Sequence, residues 1–330
     1  MKIGIFSPST SVVLKCPNRV NRALEYLRSQ GNELVLGELF FNDEGYRTGS
    51  IKQRAAEINN LLKDEDLDVL MSSIGGFDTN SILPHLDYEL LENRKRNLVI
   101  CGFSDITVLL LGAMNRIKSS KIRFLYGPAL IPSFGDIEPE FKSITYNSLL
   151  DCVLSSKKHI YNVPGSWTDD WKNWEDFEQP KQIFSQSSWK YEFFKSSHPI
   201  KGRLIGGNVN AMLGTFGSEY GLKIQPGDVL LLEDSCKNAE VVEKNFSACL
   251  LNGIFDQVSA IILGKYEKFD DQGTGVKPIE ILREILDEAK KEIPIVYDVD
   301  FSHTKPMLVV ELNKPIIIDG KKQRIIKPNP

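Results

Sequence analysis

The sequence predicts an α/β fold in which a parallel sheet is followed by a second α/β region that is richer in strands. In the first half, short apolar runs of strand length alternate with amphipathic stretches of helix length. Strands separated by such helices form parallel sheets with right-handed crossovers. Near the end of the chain, apolar runs follow one another after short turns, which is typical of antiparallel strands.

The first half of the chain alternates between the two types of element. Its predicted strands are residues 2–7, 33–39, 68–73 and 98–101. Its predicted helices are residues 17–30, residues 51–63 and a buried helix that begins at Ile106. Ligands of open parallel sheets bind beyond the carboxyl ends of the strands. The ends of the third and fourth strands therefore indicate where a site would lie.

The second half is predicted to contain further strand–helix units and then a group of closing strands. The predicted strands are residues 202–205, 229–232, 260–263 and 294–297, and the predicted helices are residues 211–216, 239–252 and 278–291. The closing strands, predicted to be antiparallel, are residues 307–312, 314–319 and 324–327. A turn at Asp319-Gly320 joins the last two.

Composition excludes several classes of function. The length of 330 residues favours two domains, and the net charge of −4 gives no reason to expect a nucleic acid polymer or a membrane surface as a partner. No apolar run approaches the roughly 20 residues that span a bilayer, and the first residues resemble a strand more than a signal peptide. Five scattered cysteines favour reduced thiols and a cytoplasmic location.

Residues 97–115, NLVICGFSDITVLLLGAMN, combine a buried strand, a sharp turn and a buried helix. A serine at such a turn is typical of a nucleophile elbow, where the helix N-terminus favours developing negative charge. The alternative is that Ser104 is an N-cap and Asp105 lies in the first helical turn. Because serine caps are common and the motif is GFSD rather than G-x-S-x-G, this stretch alone favours the cap.

Gly75-Gly76 follows the third predicted strand and has two interpretations. The glycines permit a tight turn with positive φ, or they let backbone amides approach a ligand, as an oxyanion hole requires. Beside a serine elbow in the same sheet, the two interpretations carry equal weight. The chain has neither G-x-x-x-x-G-K-[ST] nor G-x-G-x-x-G, so a phosphate-binding loop is not predicted.

Residues 165–190 hold all four tryptophans and a cluster of acids, without sustained periodicity. This stretch, called the tryptophan segment below, is predicted to link a domain of residues 1–164 to a domain of residues 191–330. Tryptophans at such a position commonly cover a domain junction. They could instead present aromatic faces to a planar ligand. The residues by themselves favour the interpretation that the tryptophans cover a domain junction.

Glu233 and His303 are the second-half residues with possible chemistry. A glutamate at a strand end is usually solvated or caps a helix, and a loop histidine is usually a surface residue. However, Ser104, Glu233 and His303 follow the chain order of a Ser…acid…His triad on α/β folds. A histidine can take the serine proton, and a buried carboxylate can orient that histidine.

Several blocks of the sequence, in order, resemble the LD-carboxypeptidase family of serine peptidases, peptidase family S66. The matching blocks are IGGFDTNSILPHLDYELL (residues 74–91), ICGFSDIT (100–107), YGP (126–128), GRLIGGNVNAM (202–212), LLLEDS (230–235), IILGKYEKF (261–269) and DFSHT (300–304).

The resemblance implies a Rossmann-like N-terminal domain with a parallel sheet, a smaller C-terminal swivelling α/β domain, and an active site between them. It implies that Ser104 is the nucleophile, Glu233 the acid and His303 the base. The backbone N–H groups of Gly76 and Asp105 are expected to form the oxyanion hole. The family's chemistry requires no metal and no organic cofactor, and its members are commonly homodimers.

Within the family, the tryptophan segment and the GGFDTN block resemble the microcin-immunity subgroup, which cleaves aminoacyl–nucleotide conjugates. This resemblance implies that Trp171 or Trp174 stacks on the base. The residues implied to contact the rest of the substrate are Gly75, Phe77, Asn210, Lys237 and Glu267. Alternatives remain a murein tetrapeptide LD-carboxypeptidase of peptidoglycan recycling and an inactive homologue that binds a nucleotide–peptide.

Overall fold

The structure, a computed structural model, describes residues 1–154, 157–175, 183–194 and 198–329. Within these ranges the chain forms a six-stranded sheet, an eight-stranded sheet and a two-stranded pair. The helices are α1 (Pro17–Ser29), α2 (Ile51–Leu62), α3 (Tyr88–Glu92), α4 (Thr107–Arg116), α5 (Pro139–Leu154), α6 (Val209–Leu213), α7 (Ala239–Leu251) and α8 (Pro278–Glu288).

The strands are numbered in chain order. They are β1 (Lys2–Phe6), β2 (Glu33–Leu36), β3 (Val69–Ser72), β4 (Leu98–Gly102), β5 (Ile122–Tyr126), β6 (His159–Ile160), β7 (Ser166–Trp167), β8 (Ser185–Gln186), β9 (Lys190–Glu192), β10 (Ile200–Asn208), β11 (Val229–Glu233), β12 (Ala260–Gly264), β13 (Ile295–Val299), β14 (Val310–Leu312), β15 (Pro315–Asp319) and β16 (Arg324–Lys327).

The first sheet has the strand order β14-β5-β4-β3-β1-β2, and all of its strands except β14 run parallel. The predicted parallel sheet of the first half is therefore confirmed. Helix α1 starts with Pro17 at its first position and ends before Gly31, whose φ is 76°. Because β3 and β4 are neighbours, the Gly75-Gly76 turn and the Ser104 turn leave the sheet side by side.

The second sheet has the order β6-β16-β15-β10-β11-β12-β13-β9. Its central strand β10 pairs with β15 in antiparallel fashion over its first half and with β11 in parallel fashion over its second half. The parallel strands β11, β12 and β13 end at the same edge. Glu233 is the last residue of β11, and His303 lies in the loop after β13.

The closing strands of the chain are divided between the two sheets. The β15–β16 hairpin around Asp319-Gly320 is antiparallel, as predicted. Strand β14 does not join that hairpin, because it pairs with β5 of the first sheet and so covers an otherwise open strand edge. Strand β6 pairs with β16 of the second sheet. The predicted domain limits, residues 1–164 and 191–330, stay a prediction.

Two elements near the site were not predicted from sequence. Strand β5 is short, and Arg123 interrupts its apolar run. Helix α5 distributes its apolar residues around the helix instead of along one stripe, so it lacks the periodic pattern of an amphipathic helix. Buried apolar residues of both sheets contact one another in one continuous cluster, which includes Ile100 and Phe124 of the first sheet and Leu204 and Leu231 of the second.

Candidate active site

Ser104 occupies a sharp turn between strand β4 and helix α4. Its φ is 62°, an uncommon value for a residue with a side chain, and the residue opens a short 3₁₀ turn. The capping interpretation is wrong: Phe103, not Ser104, occupies the N-cap position of this turn, and no side-chain capping bond is made there. The chain reverses too tightly at this point for a regular helix start. The strand–turn–helix geometry of a nucleophile elbow results.

Glu233 and His303 form a closely hydrogen-bonded pair. His303 Nδ1 lies 2.6 Å from Glu233 Oε2, and the backbone N–H of His303 donates to the same oxygen over 3.2 Å. The Glu233 side chain is completely buried, and the His303 side chain is 10% exposed. Neither residue therefore behaves as the solvated strand end or surface histidine that is usual at such positions.

The other carboxylate oxygen of Glu233 also has two partners. Tyr126 donates its hydroxyl to Glu233 Oε1 over 2.5 Å, and Asn208 Nδ2 donates to the same oxygen over 3.1 Å. Asn208 also binds Asp234 Oδ1, at 3.1 Å. Sequence reasoning missed Tyr126, Asn208 and Asp234 as site residues. Their only signal was membership in the YGP, GGNVN and LEDS blocks.

The electrostatics of the pair favour a charged glutamate and a basic histidine. Burial tends to lower the pKa of His303, but the charge and hydrogen bond of Glu233, with Glu267 and Asp234 nearby, raise it above its usual value. Burial tends to raise the pKa of Glu233, yet His303, Tyr126 and Asn208 hold it below its usual value. A histidine of this kind is suited to accept a proton near neutral pH.

The two glycines after β3 lie against the serine turn. A Cβ placed on Gly75 would be 3.3 Å from both Ser104 Oγ and the backbone nitrogen of Asp105. Gly76 has a φ of 156°, and a Cβ there would lie 2.1 Å from Ser9 Oγ, so only glycine fits. The Asp105 carboxylate accepts hydrogen bonds from Thr79 N (3.0 Å) and Thr79 Oγ1 (2.6 Å), which ties the two turns together.

Ser104 and His303 open into one cavity of about 390 Å³ between the two sheets. All the other residues predicted for the site line this cavity, except Glu233, which is buried behind His303. They are Gly75, Gly76, Phe77, Asp105, Trp171, Trp174, Asn210, Lys237 and Glu267. Phe77 is 83% exposed, and its ring is the most solvent-accessible side chain among them.

The four tryptophans divide into two groups. Trp189 is buried and donates its indole N–H to Asp300 Oδ2 over 2.7 Å, and Trp167 lies in strand β7. Trp171 and Trp174 line the cavity. The junction interpretation therefore suits Trp189, whereas the ligand interpretation stays open for the other two. Residues 176–182 of the tryptophan segment lie outside the described residues.

The side chains of Trp171 and Trp174 are held in different ways. Trp171 donates its indole N–H to Glu267 Oε1 over 2.7 Å and is 52% exposed. Trp174 lies under the guanidinium of Arg19, whose Cζ is 4.2 Å from the ring centroid. Arg22 donates to the backbone oxygen of Trp174 over 2.9 Å. The guanidinium of Arg19 thus covers one face of the Trp174 ring, and this cation is attracted to the electrons of the ring.

Charged and polar groups cluster at the second-sheet side of the cavity. Lys237 Nζ lies 3.0 Å from the backbone oxygen of Ser235 and 3.5 Å from Asp234 Oδ1. The backbone N–H of Asn210 donates to Asp234 Oδ2 over 3.2 Å. Burial raises the pKa of Glu267. The cavity therefore offers a cation, an amide and a carboxyl group close to the serine turn.

The loop that carries His303 is anchored by a buried ion pair. Lys265 Nζ lies 2.5 Å from Asp300 Oδ1, and Ser187 Oγ donates to Asp300 Oδ2 over 3.0 Å. The Asp300 side chain is completely buried. Since Asp300 stands three residues before His303, these contacts limit where the imidazole can lie.

Among the described residues, no group of three or more histidine, cysteine, aspartate or glutamate side chains is arranged to hold a metal ion. All five cysteines are free, and Cys236 is the exposed one. No helix in the described part of the chain has the length and apolar character needed to cross a membrane.

A serine on a sharp strand–helix turn, in one cavity with a histidine that is hydrogen-bonded to a buried carboxylate, is typical of a serine hydrolase on a two-domain α/β fold. Comparison with known families agrees. Residues 3–123 match the LD-carboxypeptidase N-terminal domain, and residues 201–318 match the LD-carboxypeptidase C-terminal domain. The chain belongs to this family, peptidase family S66, and is a serine-type carboxypeptidase or hydrolase.

Relatives of the chain cover nearly all of it. A putative carboxypeptidase of Vibrio cholerae is 44% identical over 96% of this chain and 92% of its own length. The microcin C7 self-immunity protein MccF of Escherichia coli is 41% identical over 98% of this chain and 92% of its own length. A murein tetrapeptide carboxypeptidase of Pseudomonas aeruginosa is 22% identical over 98% of this chain and 94% of its own length.

Solved structures of MccF have the same fold. The wild-type protein without ligand superposes with a TM-score of 0.93 at 38% identity, covering 100% of this chain and 96% of that one. MccF has also been solved with aspartyl sulfamoyl adenosine and with glutamyl sulfamoyl guanosine, at the same TM-score and identity. The predicted family and two-domain α/β fold are confirmed.

Proposed function

We propose that this protein hydrolyses an aminoacyl- or peptidyl–nucleotide conjugate, in a detoxifying role like that of microcin C immunity. One observation carries the proposal: Trp171 and Trp174 line the same cavity as Ser104 and His303. Aromatic faces in the same cavity as the serine suit a small substrate that carries a planar base as well as the scissile acyl bond. The aminoacyl sulfamoyl nucleosides bound by MccF have this chemistry.

The proposed reaction proceeds through an acyl-enzyme. Ser104 Oγ attacks the substrate carbonyl while His303 Nε2 takes the hydroxyl proton, and Glu233 stabilises the resulting imidazolium through Nδ1. The backbone N–H groups of Gly76 and Asp105 donate to the oxyanion. His303 then gives the proton to the leaving nitrogen. Water then attacks the acyl ester with His303 again as base, and the departing Ser104 Oγ takes the proton back from His303. The reaction needs neither metal nor organic cofactor.

The remaining cavity residues are proposed to bind the substrate. Trp174 or Trp171 stacks on the base, and the Gly75 and Phe77 turn covers the reacting centre. Lys237 offers a cation and Glu267 a carboxyl group to the amino-acid part. Asn210 orients polar groups of the substrate. The placement of all these residues around one cavity of about 390 Å³ supports these assignments.

The test is a side-by-side hydrolysis assay with wild type and Ser104→Ala. An aminoacyl sulfamoyl adenosine and a murein tetrapeptide serve as the two substrates. We expect cleavage of the nucleotide conjugate, reduced at least about 10⁴-fold in the variant because the nucleophile is absent. Lys63→Ala, on an exposed helix end away from the cavity, serves as the control.

Other results would contradict the proposal in distinct ways. Cleavage of the tetrapeptide alone would identify a peptidoglycan-recycling carboxypeptidase. Tight binding of the conjugate without turnover would identify an inactive binding homologue. Near wild-type turnover by Ser104→Ala would refute the mechanism. The homodimer and the cytoplasmic location are also part of the proposal, and sedimentation velocity and cell fractionation test them.

A further inference from the structure

The nucleophile and its two partners come from different sheets. Ser104 follows β4 of the first sheet, whereas Glu233 and His303 follow β11 and β13 of the second. Catalytic groups must be held to within about half an ångström of productive geometry. The catalytic alignment of this enzyme therefore depends on how the two sheets are docked at this point.

We propose that two buried hydroxyls, those of Tyr126 and Thr107, are positioning residues that align the serine turn with the acid across the seam between the sheets. We call them the seam hydroxyls. This inference rests on the proposed function of Ser104, Glu233 and His303. It assigns to Tyr126 and Thr107 a role in catalysis that they perform through other residues.

Tyr126 contacts both halves of the catalytic apparatus. It is the last residue of β5 in the first sheet and is fully buried. Its hydroxyl accepts the backbone N–H of Ser104 over 3.4 Å and donates to Glu233 Oε1 over 2.5 Å. One oxygen atom thus links the residue that attacks to the residue that orients the base.

Thr107 makes a second, independent link. Its hydroxyl donates to the backbone oxygen of Ser104 over 2.6 Å and accepts the backbone N–H of Asn208 over 3.0 Å. Asn208 in turn donates its side-chain amide to Glu233 over 3.1 Å. The Ser104 peptide groups are therefore held on both sides, N–H by Tyr126 and C=O by Thr107.

Strand β10 approaches Thr107 and Tyr126 too closely at Gly207 for that residue to carry a side chain. A Cβ on Gly207, whose φ is 145°, would lie 2.8 Å from Thr107 Cγ2 and 2.8 Å from Tyr126 Cε2. The backbone of β10 consequently packs directly against both seam residues. Because these groups are buried, the loss of either hydroxyl leaves a polar partner unpaired and lets the seam shift.

A test that is independent of the natural substrate is the rate at which a fluorophosphonate labels Ser104. The serine oxygen bonds to phosphorus, fluoride leaves and His303 takes the serine proton. Tyr126→Phe keeps the ring and removes the link. We expect labelling to slow by about 10-fold to 100-fold, the cost of a buried hydrogen bond to a charged group.

Tyr146→Phe is the matched control. Its buried hydroxyl accepts from Asn32 over 2.9 Å, away from the seam, so its loss should affect the melting temperature but not the labelling rate. With the hydrolysed substrate, Tyr126→Phe should lower kcat by the same factor and change KM by less than about twofold, since the lost interaction acts on the reacting groups.

Thr107 supplies the second variant. Thr107→Val keeps the shape and removes the hydroxyl, and Thr107→Ser retains the hydroxyl and should restore most of the rate. Wild-type labelling rates in both folded Tyr126→Phe and Thr107→Val would overturn the inference. If fluorophosphonate failed to label wild type at Ser104, the proposed nucleophile would be overturned, and this inference with it.

Discussion

The candidate catalytic centre and Trp171 of the tryptophan segment differ in how strongly the structure holds them. Glu233 is completely buried and accepts hydrogen bonds from His303, Tyr126 and Asn208. Trp171, which lines the same cavity as His303, is 52% exposed and donates one side-chain hydrogen bond.

This difference corresponds to two tasks, the reaction at the candidate catalytic centre and the recognition of the substrate by the tryptophans. Groups that move protons and stabilise charge need fixed geometry, which multiple hydrogen bonds and burial supply. Groups that recognise a base need only an aromatic face, which tolerates different partners. Family members with different substrates can therefore share the catalytic centre and differ in the segment. Three predictions test this comparison, in order of decreasing effect.

Glu233→Gln should have the largest effect. The amide keeps the shape, but it cannot orient His303 or stabilise its charged form in the same way. We expect kcat/KM to fall by about 10⁴-fold, the magnitude typical when a triad acid is replaced by its amide. Hydrolysis of the conjugate is the measurement, with circular dichroism to verify folding.

Glu311→Gln is the matched control for this substitution. Glu311 is also buried, and it pairs with Arg123 over 2.7 Å on strand β14 without lining the cavity. Its loss should reduce stability and leave kcat/KM nearly unchanged. A Glu233→Gln variant with more than about a tenth of wild-type activity would show that the catalytic centre is less dependent on its acid than the comparison states.

The effect of pH on kcat/KM should be smaller than that of Glu233→Gln, and it should reflect the protonation of His303. The proposed mechanism needs neutral His303, so kcat/KM should rise with pH to a plateau, with a midpoint above the usual histidine value of 6.5. Below the midpoint we expect about a tenfold fall per pH unit. The carboxyl groups of Glu267 and Asp234, which also act on His303, will affect the same acidic part of the kcat/KM profile.

Stability should change in the opposite direction. The folded-state pKa of His303 is raised above its unfolded value, so its ion pair stabilises the fold fully below the unfolded pKa. That contribution is lost as pH rises through the folded pKa. Melting temperatures and rates measured over the same pH range should therefore diverge. If kcat/KM changed by less than about tenfold between pH 5 and pH 8, His303 would be excluded as the base.

Substitutions in the tryptophan segment should have the smallest effect. We expect Trp174→Ala or Trp171→Ala to raise KM for the nucleotide conjugate by about tenfold, from loss of stacking on the base, with kcat nearly unchanged. The larger increase identifies the stacking ring. Phe41→Ala is the control, because Phe41 is a 59% exposed aromatic outside the cavity. If both tryptophan variants keep the wild-type KM, these rings serve packing and the comparison fails.

Local patterns along the chain identified the regular elements and the candidate site residues. Helix α2 begins behind the Ser50 capping box, and α1 ends before Gly31. Both signals act within a few residues, so they can be recognised from the chain alone. The order of Ser104, Glu233 and His303 and the matching blocks indicated the family for the same reason, since they are patterns along the chain.

The contacts among these residues depend on the packing of distant elements. Local statistics favoured a serine cap, yet the strained φ of Ser104 follows from the tight passage between β4 and α4. Tyr126 and Glu233 are 107 residues apart, and no periodicity connects them. The pairing of β14 with β5 likewise joins distant parts of the chain. Such contacts depend on the docking of whole sheets, because their energy comes from burial between elements and not from neighbours in sequence.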